Sequence, residues 1–424
     1  MRSFRGVFRP EEELLLLLLR RELDETDRNR VTEIAAGKPN WARFGEMCDR
    51  FRLGHIIAFN LKAFADQTVI PADLLQQYNA LLLSAVVRNE FWVLARELPS
   101  IINVFSESGV DAMLLKGPVV AMLNYSSPGL RLFGDLDFLV RPNDLEKAAE
   151  SLMKAGFEVP KSRQDMLRKR REGDKTFPPL VRVNPSGQTI MLDLHWRLSG
   201  KFKSADARLW ELARPHKFGK SSVLVPSAEH RLYHVCLHTA QHDFTREVWN
   251  GSFLTMQSVC DINAIIRSDG GDLDWSEFHR VASFSSIEGY CYSYFRLAEV
   301  LLGTQVPREV LDGLRPGDGP DAHDWSTIAM EFIRDRPDDV KRFAFTSLLR
   351  RDIKPSLRLR RFWGRCFPPV SSVARHYGVS EHSWLKYLCY VRRLVRPSIV
   401  RKGLFLSFRL AQMLLRKVFS RRAS

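Results

Sequence analysis

The chain has 424 residues, 45% hydrophobic and 27% charged, a composition that excludes a disordered or fibrous chain and allows two or three folded domains. Six cysteines (Cys48, Cys236, Cys260, Cys291, Cys366, Cys389) are scattered without a C-x-x-C pair, which excludes a zinc ribbon or disulfide scaffold and points to reduced thiols in a cytoplasmic protein. The net charge of +15 sits in the tail: from Lys341 onward 21 Lys and Arg face two acids, Asp352 and Glu381, whereas the first 340 residues carry −4.

Residues 1–108 read as an N-terminal helical region. The six leucines Leu14 to Leu19 follow Glu11 to Glu13 and precede charged residues, so they read as a helix and not as a signal peptide. No apolar stretch approaches the roughly 20 residues that span a bilayer. The stretch 72–105 repeats apolar residues at helical spacing, with an expected break at Pro99.

Over 109–200 the pattern becomes α+β: a small mixed sheet with flanking helices, set between mainly helical N- and C-terminal regions. "GVDAMLLKGP" (109–118) is a strand candidate, "VVAMLNY" a short helix and "LFGDLDFLV" (132–140) a second strand. In "NDLEKAAESLMKAGFEV" Asn143 is the expected N-cap, Glu146 completes a capping box and Gly156 follows the last turn. After a basic segment, "PPLVRVNPSGQTIMLDLHWRL" (178–198) reads as two strands joined at Asn184 to Gly187. Residues 201–313 read as a helical domain completing an active-site cleft, 314–324 as a linker and 325–424 as a basic helical region.

Strand side chains alternate faces. Asp135 and Asp137 therefore share one face while Leu136, Phe138 and Val140 enter the core, and in "TIMLDLHWRL" Asp193 and His195 share a face. If the two strands are neighbours, three carboxylates converge, and they would raise one another's pKa unless a cation shares the site. The expected cation is Mg²⁺, which takes oxygen ligands and phosphates; two such ions can hold the attacking and leaving oxygens of an in-line displacement. Upstream, Lys116 and Gly117 close a strand and open a helix. A glycine there lets backbone N–H groups approach an anion, and Lys116 adds a point charge for a triphosphate.

The stretch "LLKGPVVAMLNYSSPGLRLFGDLDFLVRPNDLEKAAESLMKAGFE", followed by "LDLHW", resembles the uncharacterised bacterial nucleotidyltransferase family of the polymerase-β-like superfamily. The resemblance extends upstream through the helical stretch and downstream to "LYHVCLHTAQH" with Asp261, over roughly residues 10 to 270. It implies that Gly117 and its neighbours bind the triphosphate, that Asp135 and Asp137 are the paired metal ligands, and that Asp193 is the third carboxylate. The usual phosphate turn of that superfamily is Gly-Ser or Gly-Gly; here it is Gly117-Pro118, and Pro118 donates no N–H.

His230, His234, His238 and His242 recur every four residues. His238 and His242 form an i, i+4 pair that, with His195, is expected on the acceptor side, against the plainer reading of a polar helix face packed on the sheet. Arg131 either binds phosphate or neutralises the carboxylates. The run Arg168 to Arg171 reads as a solvated loop able to guide an anionic acceptor. Residues 401–422 form a basic amphipathic helix suited to an anionic membrane surface, such as the inner face of the cell membrane, or to a partner protein; no nucleic-acid module is recognisable there.

The expected function is Mg²⁺-dependent transfer of an NMP from an NTP to a small-molecule, glycan or peptide acceptor. The alternatives are a metal-dependent glycosyltransferase using a nucleotide-sugar, since Asp-x-Asp also binds such metals, and a non-catalytic scaffold acting through its basic C-terminus.

Overall fold

The computed structural model describes residues 7–20, 23–64, 70–160, 175–184, 187–200, 202–218, 221–249, 255–316 and 325–334, with Trp384, Tyr387 and Leu388; at 63, 92, 243–249, 327 and 331 it describes the backbone alone. The basic run 168–171, the basic stretch 401–422, residues 317–324 of the linker, Cys366 and Cys389 lie outside the described residues. The chain divides into two compact units, residues 1–243 with 253–336, and residues 244–252 with 337–424. The architecture below is that of the first.

The leucine run forms α1 (Pro10–Leu18), buried on every side. It packs with α2 (Glu25–Ala36), α3 (Trp41–Phe51) and α4 (Gly54–Leu61). Asp24 and Asn40 cap the second and third by accepting the backbone N–H groups of Asp27 and Arg43. α5 (Ala72–Val86) does not break at Pro99. It runs through a wide π-helical stretch, Val87–Glu97, into α6 (Leu98–Glu107), where Pro99 occupies the first turn.

Six strands follow: β1 (Ala112–Leu115), β2 (Asp135–Val140), β3 (Leu180–Val183), β4 (Thr189–His195), β5 (Arg214–Phe218) and β6 (Ser221–Val225). They form one mixed sheet in the order β3-β4-β2-β1-β6-β5. The hairpin β5–β6 corrects the expectation of continuous helix beyond residue 203. Its strands are short and rich in Lys, His and Ser, so neither carries a clear alternating signal. α7 (Lys116–Asn124) links β1 toward β2, and α8 (Leu145–Lys154) follows β2. Asn143 is not its N-cap: Pro142–Asp144 forms a 3₁₀ turn and the helix begins one residue later than a capping box requires. Gly156 does end it, in the left-handed region at φ +89°.

One sheet face carries the core, where Leu136, Phe138, Val140, Leu192 and Leu194 pack with Ile101, Phe105 and Leu152 from α6 and α8. The Phe105 and Phe138 rings meet edge to face at 5.0 Å. Burying each such side chain contributes on the order of 1.5–3 kcal/mol, so the register of β2 and β4 is strongly held; a one-residue slip would drive the aspartates into this layer.

The remaining helices are α9 (Asp206–Leu212), α10 (Ala228–Trp249), α11 (Met256–Asp269), α12 (Trp275–Phe284), α13 (Glu288–Leu302), α14 (Arg308–Leu314) and α15 (Trp325–Arg334). Among the described residues no helix is long and apolar enough to cross a membrane.

Candidate active site

The second sheet face carries the aspartates. β2 and β4 are parallel neighbours, with Asp137 beside Asp193, Asp135 beside Met191 and Leu139 beside His195. Asp137 is 1% exposed and His195 2%, whereas Asp135 and Asp193 are half-buried. Two donors meet at one oxygen of Asp137: the Lys116 ammonium at 2.5 Å and the His195 Nε2–H at 2.7 Å from Oδ1. An ionised carboxylate only accepts, so the proton of this contact belongs to His195 Nε2. His195 Nδ1 is then left buried with no partner.

These surroundings separate the three acids. Burial alone would raise Asp137, but the Lys116 charge and the His195 hydrogen bond outweigh it and hold its carboxyl well below the usual range. Burial and the charge of Asp137 push Asp193 up to about 6. Asp135 is raised for the same two reasons. Burial and the neighbouring Lys116 push His195 down to about 4, so it is neutral at pH 7. Among the described residues, neither Asp135 nor Asp193 has an ion-pair partner; the Lys116 ammonium paired with Asp137 eases the charge of all three acids, helped by Lys175 at Asp193 and Arg131 at Asp135.

Lys116 itself sits at φ +54°, in the left-handed region that a residue with a side chain enters at a cost of about 1–2 kcal/mol. That backbone turn aims its side chain at Asp137. Gly117 has a packing cause: a Cβ there would lie 2.6 Å from Phe133 Cβ and 2.8 Å from Arg131 Nη1.

Arg131 is engaged by Asp261, whose Oδ2 accepts from its Nη2 at 2.8 Å, and Asp261 also accepts from Tyr125 and Gln257. The segment leading into β2 is held by three consecutive residues of the π-helical stretch. Arg88 donates to the Phe133 carbonyl at 2.5 Å, buried Asn89 donates to the Pro128 and Arg131 carbonyls at 3.0 Å each, and Glu90 accepts from Ser127 at 2.5 Å. A π-helix rotates successive side chains differently from an α-helix, and here residues 88–90 all reach the same segment. Nothing in the residue pattern marked them.

In front of the aspartates lies a cavity of about 220 Å³. Residues singled out from the sequence line it: Lys116, Gly117, Arg131, Asp135, Asp137, His238 and Asp261. Asp193 and His195 stand behind Asp137 and His242 is outside the lining, its ring 4.4 Å from that of His238. The opposite wall is α10, contributing His234 and His238, and α11, contributing Gln257, Ser258 and Asp261. Burial and then Lys116 hold both histidines well below their usual value, hence neutral. His234 was one of the two helix histidines, with His230, that sequence spacing left unselected. His230 faces elsewhere, bonded to Ser227 and near Glu277.

The donor set fits a divalent cation. Asp137, Asp193 and His195 each offer an atom, all within 4.8 Å of one another. Among the described residues, two of the site's acids have no ion-pair partner and the buried His195 keeps an orphan nitrogen. Carboxylate oxygens suit hard cations, and imidazole adds affinity for first-row metals.

The chain was compared with known proteins. A sequence profile described as an uncharacterised nucleotidyltransferase matches residues 37–303, from α3 through α13 and including all six strands. Among solved structures, an antigenic nucleotidyltransferase-like protein from Paracoccidioides brasiliensis is similar over 41% of this chain and 75% of that one, at 16% identity and a TM-score of 0.29, a likeness too slight to carry weight. No curated protein matches. By the extent of the profile match, which takes in the sheet, the cavity and the helices around it, the chain belongs to the uncharacterised nucleotidyltransferase family.

Proposed function

We propose that this nucleotidyltransferase moves a nucleoside monophosphate from an NTP to a small-molecule, glycan or peptide acceptor, with Mg²⁺ as cofactor and two ions at the site, in the manner of the polymerase-β-like superfamily and in a bacterial cytoplasm. The observation that carries the reading is the in-register pair Asp137 and Asp193, with Asp135 and Asp137 on the wall of a cavity and only Asp137 of the three acids ion-paired among the described residues. When bound, divalent cations would neutralise the phosphates and hold the reacting oxygens in line. Asp135, Asp137 and Asp193 would ligate them.

The acceptor oxygen forms a bond to the α-phosphorus, the α–β phosphoanhydride breaks, and pyrophosphate leaves with the electron pair. Asp193, pushed up to about 6, is suited to take the acceptor proton, because a base works best with a pKa near the working pH. Lys116 and the Gly117 turn hold the triphosphate, and Arg131, anchored by Asp261, supplies positive charge on the cavity wall. His234 and His238 are neutral donors or acceptors toward the incoming group. In this reading residues 109–200 carry the chemistry and 201–313 complete the cleft. The basic stretch 401–422 contacts an anionic membrane surface or a partner protein, on charge and periodicity alone.

Parallel incubations with α- and γ-labelled NTPs, Mg²⁺ and a cell extract test the reaction. The α-label is expected to pass to an acceptor while the γ-label leaves as pyrophosphate, and Asp137→Asn should lower transfer by about 10³-fold, the scale of losing a main source of transition-state charge stabilisation. Transfer of the γ-label, or unimpaired transfer by Asp137→Asn, would contradict the assignment.

A further inference from the structure

The two cation positions of the proposed reaction would not be chemically alike. β4 presents Asp193 and His195 on one face, and the parallel register sets Asp137 against Asp193. The three-donor group of the described residues is therefore Asp137, Asp193 and His195, while Asp135 stands outside it on the cavity side of Asp137. We propose that Asp137, Asp193 and His195 form a mixed oxygen–nitrogen site for a first-row divalent ion, with Mn²⁺ favoured over Mg²⁺, and that the all-oxygen side formed by Asp135 and Asp137 is left for Mg²⁺. This rests on the reading that the carboxylate face binds divalent cations.

Two features of His195 carry the assignment. Its ring is buried to the same degree as Asp137, so it is not a solvent-facing residue that happens to lie near the acids. Its one hydrogen bond among the described residues is to Asp137 Oδ1, and its other nitrogen has no partner. A buried imidazole kept only for structure ordinarily satisfies both nitrogens. The chemistry decides the ion. Mg²⁺ demands oxygen ligands and sheds water reluctantly, whereas imidazole beside two carboxylates suits Mn²⁺ and its first-row neighbours. The Lys116 ammonium, on the same Asp137 oxygen as His195, marks where positive charge is favoured.

The test uses the full-length protein, stripped with a chelator and loaded with Mn²⁺ below one equivalent. Pulsed electron paramagnetic resonance should show nitrogen coupled to Mn²⁺, and labelling the protein with ¹⁵N-histidine should change that coupling to the ¹⁵N pattern without any substitution. His195→Gln should remove the coupling and weaken Mn²⁺ binding by about tenfold or more, while changing Mg²⁺ binding by less than about twofold. Mn²⁺ bound without nitrogen coupling, coupling that survives in His195→Gln, or equal losses for Mn²⁺ and Mg²⁺ would each overturn the mixed site and leave the metal reading of the active site standing. Failure of both ions to bind would overturn both.

Discussion

Among the described residues two clusters of three acids, one at the start of α1 and one on the sheet, are handled in opposite ways. At the start of α1, Glu11, Glu12 and Glu13 are almost wholly buried, Glu12 completely. Arg43 pairs with Glu11 at 3.2 Å and with Glu12 at 3.0 Å, Arg334 with Glu12 at 2.8 Å, and Arg30 with Glu13 at 2.7 Å. Burial works against the Glu12 charge, yet hydrogen bonds from Arg334 and the Arg9 backbone outweigh it and hold the carboxyl below its usual range. On the sheet, of Asp135, Asp137 and Asp193 only Asp137 is ion-paired among the described residues, by Lys116, and the other two are pushed up. The nearby guanidinium groups make their hydrogen bonds elsewhere, Arg131 to Asp261 and Arg88 to the Phe133 carbonyl, and reach Asp135 only through their charge, which burial and Asp137 outweigh. Three arginines make the first cluster a tie between distant parts of the chain. The second is short of positive charge and opens on a cavity, which is the arrangement of a site that receives a cation.

The sharpest way to break this comparison is to exchange the roles. Glu12→Gln should cost about 2–3 kcal/mol in stability. That is below the 3–5 kcal/mol of a fully buried broken pair, because Arg43 and Arg334 keep some access to water. Denaturant titration would measure it, and the folded variant should bind divalent cations like the wild type. Altered cation binding would erase the distinction between the clusters.

Next in size is Gly117→Ala, expected to cost about 1–3 kcal/mol, because its Cβ would press on Phe133 and Arg131. The same measurement checks it. A neutral result would mean that this segment yields, and that the glycine serves the ligand and not the packing.

The smallest effect is electrostatic. The folded protein raises Asp193 from 3.8 to about 6 and so binds its proton more tightly than the unfolded chain does. Wild-type stability should therefore fall as pH rises from about 4 through about 6. In metal-free protein Asp193→Asn lacks that loss. Its thermal midpoint should exceed that of wild type above pH 6, and the advantage should vanish below pH 4. A variant less stable at pH 7.5 would show that the Asp193 charge is compensated after all.

The parts of the site written locally were legible in the sequence. Alternation alone places Asp135 with Asp137 and Asp193 with His195, and the apolar residues between them dictate which face is core. That β2 and β4 are parallel neighbours is a tertiary fact. It sets Asp137 beside Asp193 and so exchanges Asp135 for His195 in the three-donor group. The engagement of Arg131 by Asp261 joins residues 130 positions apart, and no local pattern announces it. His234 and His238, not His238 and His242, line the cavity because α10 is placed by its packing, while a repeat of four only says that the histidines drift round one face. Arg88, Asn89 and Glu90 were hidden by the π-helical geometry, which no spacing argument for an α-helix anticipates.

The central claim is that the sheet acids lack a cation which the α1 acids already have. The most direct measurement is the thermal midpoint of chelator-stripped protein titrated with a divalent cation, for wild type, Asp137→Asn and Glu12→Gln. A ligand bound only by the folded state stabilises it by about 2.7 kcal/mol at a hundredfold excess over Kd. Saturable stabilisation is predicted in wild type and in Glu12→Gln, and its loss in Asp137→Asn. No stabilisation of wild type, or equal stabilisation of Asp137→Asn, would contradict the account.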